Sequence, residues 1–546
     1  MRAKVAVSIH RGSDAPRTGR VAAGWIPYTD NEVVFAAAVV VVLAFGIYLR
    51  TMLPSTGFWD TGEAQTVPPT LSIFHPTGFP TYEILGWLWT RMPLGEVAWR
   101  MNVLSAVCVA LASGFVTLSA GRLIQERSRF LSAAAAGIAG AAFAFASEPW
   151  ENATRADVHA VNVLFVSIVV WLLFTWRAAE RVGSPRAGGW LVVAAAAFGI
   201  GVGAHPLVGL LAIGIGVWLF VVDPGFWRRW RLIGVCAAVL VAGIIGPYAL
   251  LWLRAITDPE PPLFYARPDT WDRFRYLVFA EQFSGLFRDF RSPFSDLPDK
   301  WADVERVLSV QFVPPGWLLV AVGAAVVAAR SLGTFAVLLV WVVANIVYSM
   351  NFRDGDIDRY YMTTVAVLAP LLGVAVAAIG AACARAVAEV GRRFVTDLDG
   401  RRRLASLAGG VVLVLGALVP GASLVVGYEA HDESTNRDAD EWVASVHALL
   451  PPNSVIVSWW SYSTPLWHHR WVLGERPDIT IIDERDILDD GYRTMNNAIR
   501  AHFGERPVYV VLPDWERRAV TARWELSTVA TLPGFSRLLL VEGPSS

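Results

Sequence analysis

The sequence predicts a polytopic α-helical membrane protein of about 11 transmembrane helices with a C-terminal extracytoplasmic α/β domain. Three observations predict it. Hydrophobic residues make up 55% of the 546 and charged residues only 17%, with a mean hydropathy of +0.45, whereas an ordinary globular chain is about one quarter charged. The apolar residues fall in runs long enough to cross a bilayer core, among them Val33 to Tyr48, Met101 to Ala120, Val158 to Trp176, Leu232 to Leu253 and Leu404 to Val426. Beyond residue 428 the pattern changes to short helical and strand-like segments in alternation.

Residues 1–30 are polar and basic, without an apolar core and a small-residue cleavage site, so they read as a disordered cytoplasmic tail and not a signal peptide. The helices expected within the transmembrane unit, residues 31–427, are 33–50, 99–120, 130–147, 158–176, 189–204, 206–222, 232–253, 315–329, 334–350, 361–382 and 404–427. His205-Pro206 splits the fifth from the sixth, because proline breaks the helical ladder and a lone histidine is costly in lipid. A net charge of −1 hides a segregation of arginines to alternate ends of these runs. With the tail inside, the clusters at Arg122, Arg127 and Arg129, at Arg177, Arg181 and Arg186, at Arg228 to Arg231, at Arg330 and at Arg392 to Arg403 all fall on the same side. That is the arginine and lysine bias of cytoplasmic loops. The expected location is a cell membrane, with the amino terminus cytoplasmic and the final domain outside.

In the last unit, residues 428–546, a helix at Arg437 to Leu450 precedes a strand at Ser454 to Trp459, and strands at Ile479 to Ile482 and Val508 to Leu512 flank a helix at Tyr492 to Phe503. Such alternation predicts a small parallel sheet. No glycine-rich phosphate loop follows its first strand, so neither a nucleotide nor a haem is expected, and no feature points to nucleic acid. The run Trp459-Trp460-Ser461-Tyr462 with Trp467-His468-His469 suits sugar stacking or an interfacial belt, and adjacent histidines lack a ligand-like spacing. Cys108, Cys236 and Cys383 lie apart within apolar spans, as packing residues do.

The chemistry concentrates just past the first helix. Asp60 and Glu63 stand three residues apart, followed by His75 in a stretch stiffened by Pro76, Gly78 and Pro80. Charge at the edge of a lipid-embedded bundle is expensive unless solvated or paired. The ordinary reading is helix capping by Asp60 with Glu63 in the first turn; the functional one is a pair of catalytic carboxylates. On the same side, Arg254 closes one helix, and the loop Asn351 to Tyr361 mixes Arg353, Arg359 and Tyr360 with Asp354, Asp356 and Asp358. Arginine's planar fork suits a phosphate; the ordinary readings are snorkelling for Arg254 and pairing with neighbouring acids for the other two. His75 and His205 complete the candidate substrate-binding residues, and no resident metal is assigned, although a divalent cation is compatible with the acids.

These residues resemble the GT-C superfamily of polyprenyl-phosphate-sugar-dependent membrane glycosyltransferases, in a branch related to eukaryotic protein O-mannosyltransferases. The resemblance rests on Asp60-Thr-Gly-Glu63, His75-Pro-Thr-Gly-Phe-Pro-Thr-Tyr82, Val97 to Ser105, Asp157-Val-His159, Gly203-Ala-His205, Leu253-Arg-Ala255 with Asp258-Pro259, and Asp358-Arg-Tyr-Tyr361. It implies that Asp60 is the acting aspartate of the first outer loop. The chain departs from the family at Asp157 and His159, commonly glutamate and tyrosine, and at Pro76-Thr77, commonly a proline pair, which leaves donor and acceptor choice open. The implied activity is sugar transfer, mannose among the candidates, from a polyprenyl-phosphate donor to a hydroxyl of a protein, lipid or glycan at the outer face. Two other classes fit a polytopic chain: a transporter or lipid flippase, and a membrane-anchored ligand-binding protein. The first is disfavoured by acids gathered at one face and by the lack of an internal repeat.

Overall fold

The computed structural model describes residues 31–353, 355–485 and 491–545; the tail expected at residues 1–30 lies outside them. All eleven expected apolar segments are helical. Among the described residues eight helices are long and apolar enough to cross a membrane, or up to ten if each of two bent pairs is one span. The chain starts with α1 (Asn31–Thr51), then two short helices, α2 (Trp59–Thr70) and α3 (Pro80–Trp89), inside the first loop. Next come α4 (Val97–Leu123), α5 (Arg129–Ala144), α6 (Ser147–Thr154), α7 (Val158–Arg181) and α8 (Ala187–Ala204). The bent pairs are α5 with α6, at 63°, and Leu297–Ser309 with Pro314–Arg330, at 102°. The eleventh segment, Pro206–Val222, is the shorter one, and it begins at His205, whose Nδ1 accepts the amide of Leu207 at 3.1 Å. The remaining apolar helices are Trp230–Ala255, Leu332–Ser349, Met362–Gly391 and Leu398–Gly427.

Burial sorts the helices. Those over Val97–Leu123, Val158–Arg181 and Ile357–Gly391 are more than 70% buried along their apolar windows, whereas Trp230–Ala255 has no fully buried residue in its window and lies at the periphery, half-buried along the face that includes Leu232, Cys236 and Leu240. Lipid is as apolar as leucine, so the central contacts depend on close packing over small residues. A Cβ at Gly323 would stand 1.9 Å from the Leu371 carbonyl oxygen, and one at Gly373 would stand 2.7 Å from that of Ala135.

The two ends of the bundle differ in chemistry. At one end lie the arginine-rich turns, paired as Arg129–Glu32 (3.5 Å), Arg330–Glu126 (2.6 Å), Arg177–Asp223 (3.4 Å) and Arg229–Glu180 (2.6 Å). At the other, the Thr51 carbonyl accepts the amide of Glu433 at 2.8 Å, so the end of α1 and the start of the C-terminal unit share a face.

The C-terminal unit is built on β1 (Val455–Ser458), β2 (Thr480–Asp483), β3 (Val508–Val511), β4 (Trp524–Thr531) and β5 (Arg537–Pro544), in the order β2-β1-β3-β5-β4. The first three run parallel, as the sequence predicts, with Val455 opposite both Thr480 and Val508. The last two are antiparallel, which corrects the expectation of a wholly parallel sheet ending at Leu512. β4 is an edge strand with mostly exposed, polar positions, so it carries no continuous apolar run for a reader of sequence to find. The stretch 254–314, between two apolar runs, contains helices at Trp271–Val278 and Leu297–Ser309.

The two units dock through the first loop. Ser55 Oγ donates to the Asn436 carbonyl at 2.9 Å, the Thr56 amide donates to Asp440 at 3.3 Å, and Phe58 packs edge-on against Trp442 and Tyr462. α2 lies so close to the helix Trp460–Trp467 that a Cβ at Gly62 would meet Thr464 at 2.9 Å.

Candidate active site

A cavity of about 830 Å³ opens between the C-terminal unit and the ends of the helices that face it. Its lining includes Asp60, His75, Asp157, His159, His205, Arg359, Tyr360 and Arg485, with Phe279, Phe283, Leu286 and Phe352 on an apolar side. Asp60 reaches it because Trp59, at φ 57°, turns the chain sharply as α2 begins, and His75 because Phe79, at φ 39°, turns it again into α3. Such left-handed non-glycine residues are held only where the surroundings fix them.

Arg359 organises the charge. Its Nη2 donates to Asp60 Oδ2 at 2.7 Å and its Nη1 to Asp157 Oδ2 at 3.0 Å. Asp60 Oδ1 accepts a second bond, from the indole Nε1 of Trp460 at 3.1 Å. Burial would raise the Asp60 carboxyl, but Arg359, with His75 beside it, holds it well below the usual carboxylate range. Asp157 is placed by its own helix: as N-cap of α7 its Oδ1 accepts the His159 amide.

Glu63 is buried and does not line the cavity. It accepts the His75 amide at 2.9 Å, and its second oxygen meets His75 Nδ1. Its partner is therefore the histidine and not Asp60. Burial would lower the His75 imidazole, yet the Glu63 carboxylate raises it above its ordinary value. Asp60, Glu63 and His75 together bring three candidate ligand atoms within 4.8 Å of one another, so this cluster could hold a cation. His205, stacked on Phe79, and Tyr360 form an aromatic wall with His159, whose ring lies 4.4 Å from His205 and 4.8 Å from Tyr360.

Two of the expected arginines lie elsewhere. Arg254 donates from Nε to the Leu71 carbonyl at 2.8 Å and from Nη1 to those of Thr257 (3.2 Å) and Pro259 (2.9 Å), so it clamps the turn after its helix and does not line the cavity. Arg353 is exposed and outside the lining. The acids of that loop are also sorted: Asp358 receives both ends of Arg306, at 2.7 and 2.8 Å, and Asp356 is 4.0 Å from Arg359, while Asp354 lies outside the described residues.

Sequence reasoning missed Asp157 and His159 as site residues, although their spacing at the start of an apolar helix was visible. It placed Trp460 only within an aromatic run suited to sugar stacking, and it missed Arg485. Their signal is position: both follow the carboxyl ends of parallel strands, β1 and β2, where open α/β sheets present their ligands.

A family model described as the Protein O-mannosyl-transferase TMEM260 N-terminal domain matches residues 60–229. Protein O-mannosyl-transferase TMEM260 of Mus musculus is 24% identical over 524 residues, 91% of this chain and 69% of that protein. Its namesake in Dictyostelium discoideum is 25% identical over 221 residues, 38% of this chain and 26% of that protein. Among solved structures, ArnT from Cupriavidus metallidurans bound to undecaprenyl phosphate aligns over 94% of this chain and 98% of its own, with a TM-score of 0.52 and 17% identity. Its apo state gives 0.53. This chain is a membrane protein that shares its fold with ArnT and is similar in sequence to the TMEM260 O-mannosyl-transferases. The matched domain begins at Asp60 and takes in Glu63, His75, Asp157, His159 and His205, but ends before Arg359 and the C-terminal unit.

Proposed function

We propose that this chain is a glycosyltransferase that moves a sugar, with mannose the first candidate, from a polyprenyl-phosphate donor to a hydroxyl of a protein acceptor at the extracytoplasmic face. The relatives' names support a sugar donor and protein acceptor, and the undecaprenyl phosphate in ArnT supports a polyprenyl-phosphate carrier. The observation that carries the reading is the placement of Asp60. It is an ionised carboxylate fixed by Arg359 and Trp460 in a cavity large enough for a sugar phosphate, at the ends of the spanning helices.

Asp60 serves as the catalytic base in this proposal. The acceptor oxygen attacks the anomeric carbon, the bond from that carbon to the phosphate oxygen breaks with its electron pair, and the acceptor proton passes to Asp60. A carboxylate of low basicity suffices because the hydroxyl becomes strongly acidic as its oxygen bonds to carbon. Arg359 keeps Asp60 ionised and aimed, and Glu63 fixes His75 at the cavity wall by accepting its amide and meeting its Nδ1. The ionisable cluster stands at the helix ends and not at the bilayer midplane, where transporters keep their substrate sites, so transfer is favoured over transport.

The test is reconstitution in vesicles with polyprenyl-phosphomannose and serine- and threonine-containing peptides, with mass spectrometry of the products. Mannosylated peptide is expected from the wild type, and Asp60→Asn should slow it by roughly 10² to 10⁴. No transfer from any polyprenyl-phosphate sugar would overturn the proposal, and transfer only to lipid or glycan would overturn its acceptor.

A further inference from the structure

A polyprenyl-phosphate leaving group needs a cation that is not already neutralised. In the cavity lining, Arg155 is paired with Glu151 at 2.6 Å and Arg359 with two carboxylates at 2.7 and 3.0 Å. Arg485 differs. Among the described residues its ion-pair partner is Glu484, with a carboxylate oxygen 3.9 Å away, and burial pushes the Glu484 carboxyl up to about 7, which makes it a weak counter-ion.

The setting of Arg485 is a built one. It follows β2 directly, and its amide donates to Oδ1 of the buried Asp483 at 2.9 Å, which fixes the backbone. Its guanidinium carbon lies 4.2 Å from the centre of the Trp460 ring. Stacking on an indole face holds the planar group while leaving its N–H edge free to donate. The same indole donates to Asp60 at 3.1 Å, so one side chain supports both the proposed base and this arginine. The side chain remains 28% exposed and lines the cavity.

We infer that Arg485, supplied by the C-terminal unit, is a ligand of the donor phosphate, so that the donor site is completed only when that unit is docked on the membrane bundle. The inference rests on the transferase reading above. In the transfer step the phosphate oxygen that leaves the anomeric carbon takes the bonding electron pair, and the guanidinium fork donates to the oxyanion that results. Asp60 receives the acceptor proton, so charge and protons balance without a further reactant.

The test uses the full-length protein in vesicles and compares wild type with Arg485→Ala and Arg485→Lys, and with Arg518→Ala as an exposed control on the same unit. The readouts are donor KM, acceptor KM, inhibition by free polyprenyl phosphate, and quenching of tryptophan fluorescence as polyprenyl phosphate is added without acceptor. Arg485→Ala is expected to raise donor KM and weaken polyprenyl phosphate binding roughly 10- to 100-fold, the usual effect of losing a charged hydrogen bond. Arg485→Lys should restore part of it, and acceptor KM should stay constant. A misfolded alanine variant would show as lost thermal stability, in which case the lysine variant decides by the same donor-to-acceptor contrast. Active variants with donor KM and polyprenyl phosphate binding within twofold of wild type would overturn the inference, as would a rise confined to acceptor KM. A wild type inactive with every polyprenyl-phosphate sugar would instead bring down the transferase reading and this inference with it.

Discussion

Arg359 and Asp60 are 299 residues apart in the chain, and their side chains meet at 2.7 Å. The contact ties the first outer loop to the entrance of the helix Met362–Gly391, and the other arm of the same guanidinium reaches Asp157 at the start of α7. Three segments of the bundle thus converge on one cation, and the geometry of the proposed base depends on all of them.

Replacement of Arg359 by glutamine should therefore do more than slow the reaction. It leaves Asp157, which is buried, and Asp60, which is mostly so, without their counter-charge. Breaking a buried pair from one side costs about 3 to 5 kcal/mol. The expected outcome is a marked fall in melting temperature in detergent together with loss of transfer. A variant that melts like the wild type would show that the bridge does not hold these segments together.

The docking face predicts a pH dependence. His469 lies between Glu475, 2.8 Å from Nδ1, and Asp440, 3.3 Å from Nε2, and Asp440 also accepts the Thr56 amide of the first loop. Burial lowers the imidazole, but the two carboxylates outweigh it, and the net shift is upward from 6.5. A folded value above the unfolded one stabilises the protein fully below about pH 6.5, and that stability is lost as pH rises through the folded value. Melting curves from pH 5.5 to 9 should show the wild type losing its advantage over His469→Gln as pH rises. A constant difference would remove His469 from the balance.

Chelation separates two accounts of the acids. Asp60, Glu63 and His75 could gather a cation, yet Asp60 is already paired with Arg359 and Glu63 is bonded to His75 through both oxygens. The expectation is that transfer survives excess EDTA. Loss with EDTA and recovery on adding manganese or magnesium would assign a metal to that cluster.

Much of this architecture was legible because lipid imposes one rule on a long chain. Every spanning segment must be apolar and helical, so all eleven segments could be read from runs alone. Asp60 and His75 stood out because polar residues beside a span need a reason. Partnerships were not legible: nothing in the sequence says that Arg359 reaches Asp60 and Asp157 while its neighbour Asp358 goes to Arg306. Arg254 shows the converse. It occupied a suitable place at the end of a helix, and only the structure shows its N–H groups committed to the carbonyls of Leu71, Thr257 and Pro259. β4 escaped because an edge strand with one wet face lacks the buried run that marked β1 and β3, whereas β5, between β3 and β4, carries the apolar run Leu538 to Val541 and was simply overlooked.

Two contacts at opposite ends of α1 set up a test of orientation in the membrane. Glu32, near its start, faces Arg129 among the arginine-rich turns, whereas Thr51, at its end, bonds to Glu433 at the head of the C-terminal unit. These points lie at opposite ends of the bundle, so an odd number of crossings is expected between them, met by the eight longer helices with either one or all three of Pro206–Val222 and the two bent pairs. If the arginine-rich loops are held in the cytoplasm, the expectation is that the cavity and the C-terminal unit lie outside. Alkaline phosphatase fused after residue 546 should be active, and a cysteine placed at Arg518 should react with an impermeant maleimide in intact cells, while one placed at Arg402, in the arginine cluster, should not. Labelling of Arg402 alone would put the cavity on the cytoplasmic side, where a polyprenyl-phosphate sugar would have to be used before it crosses the membrane.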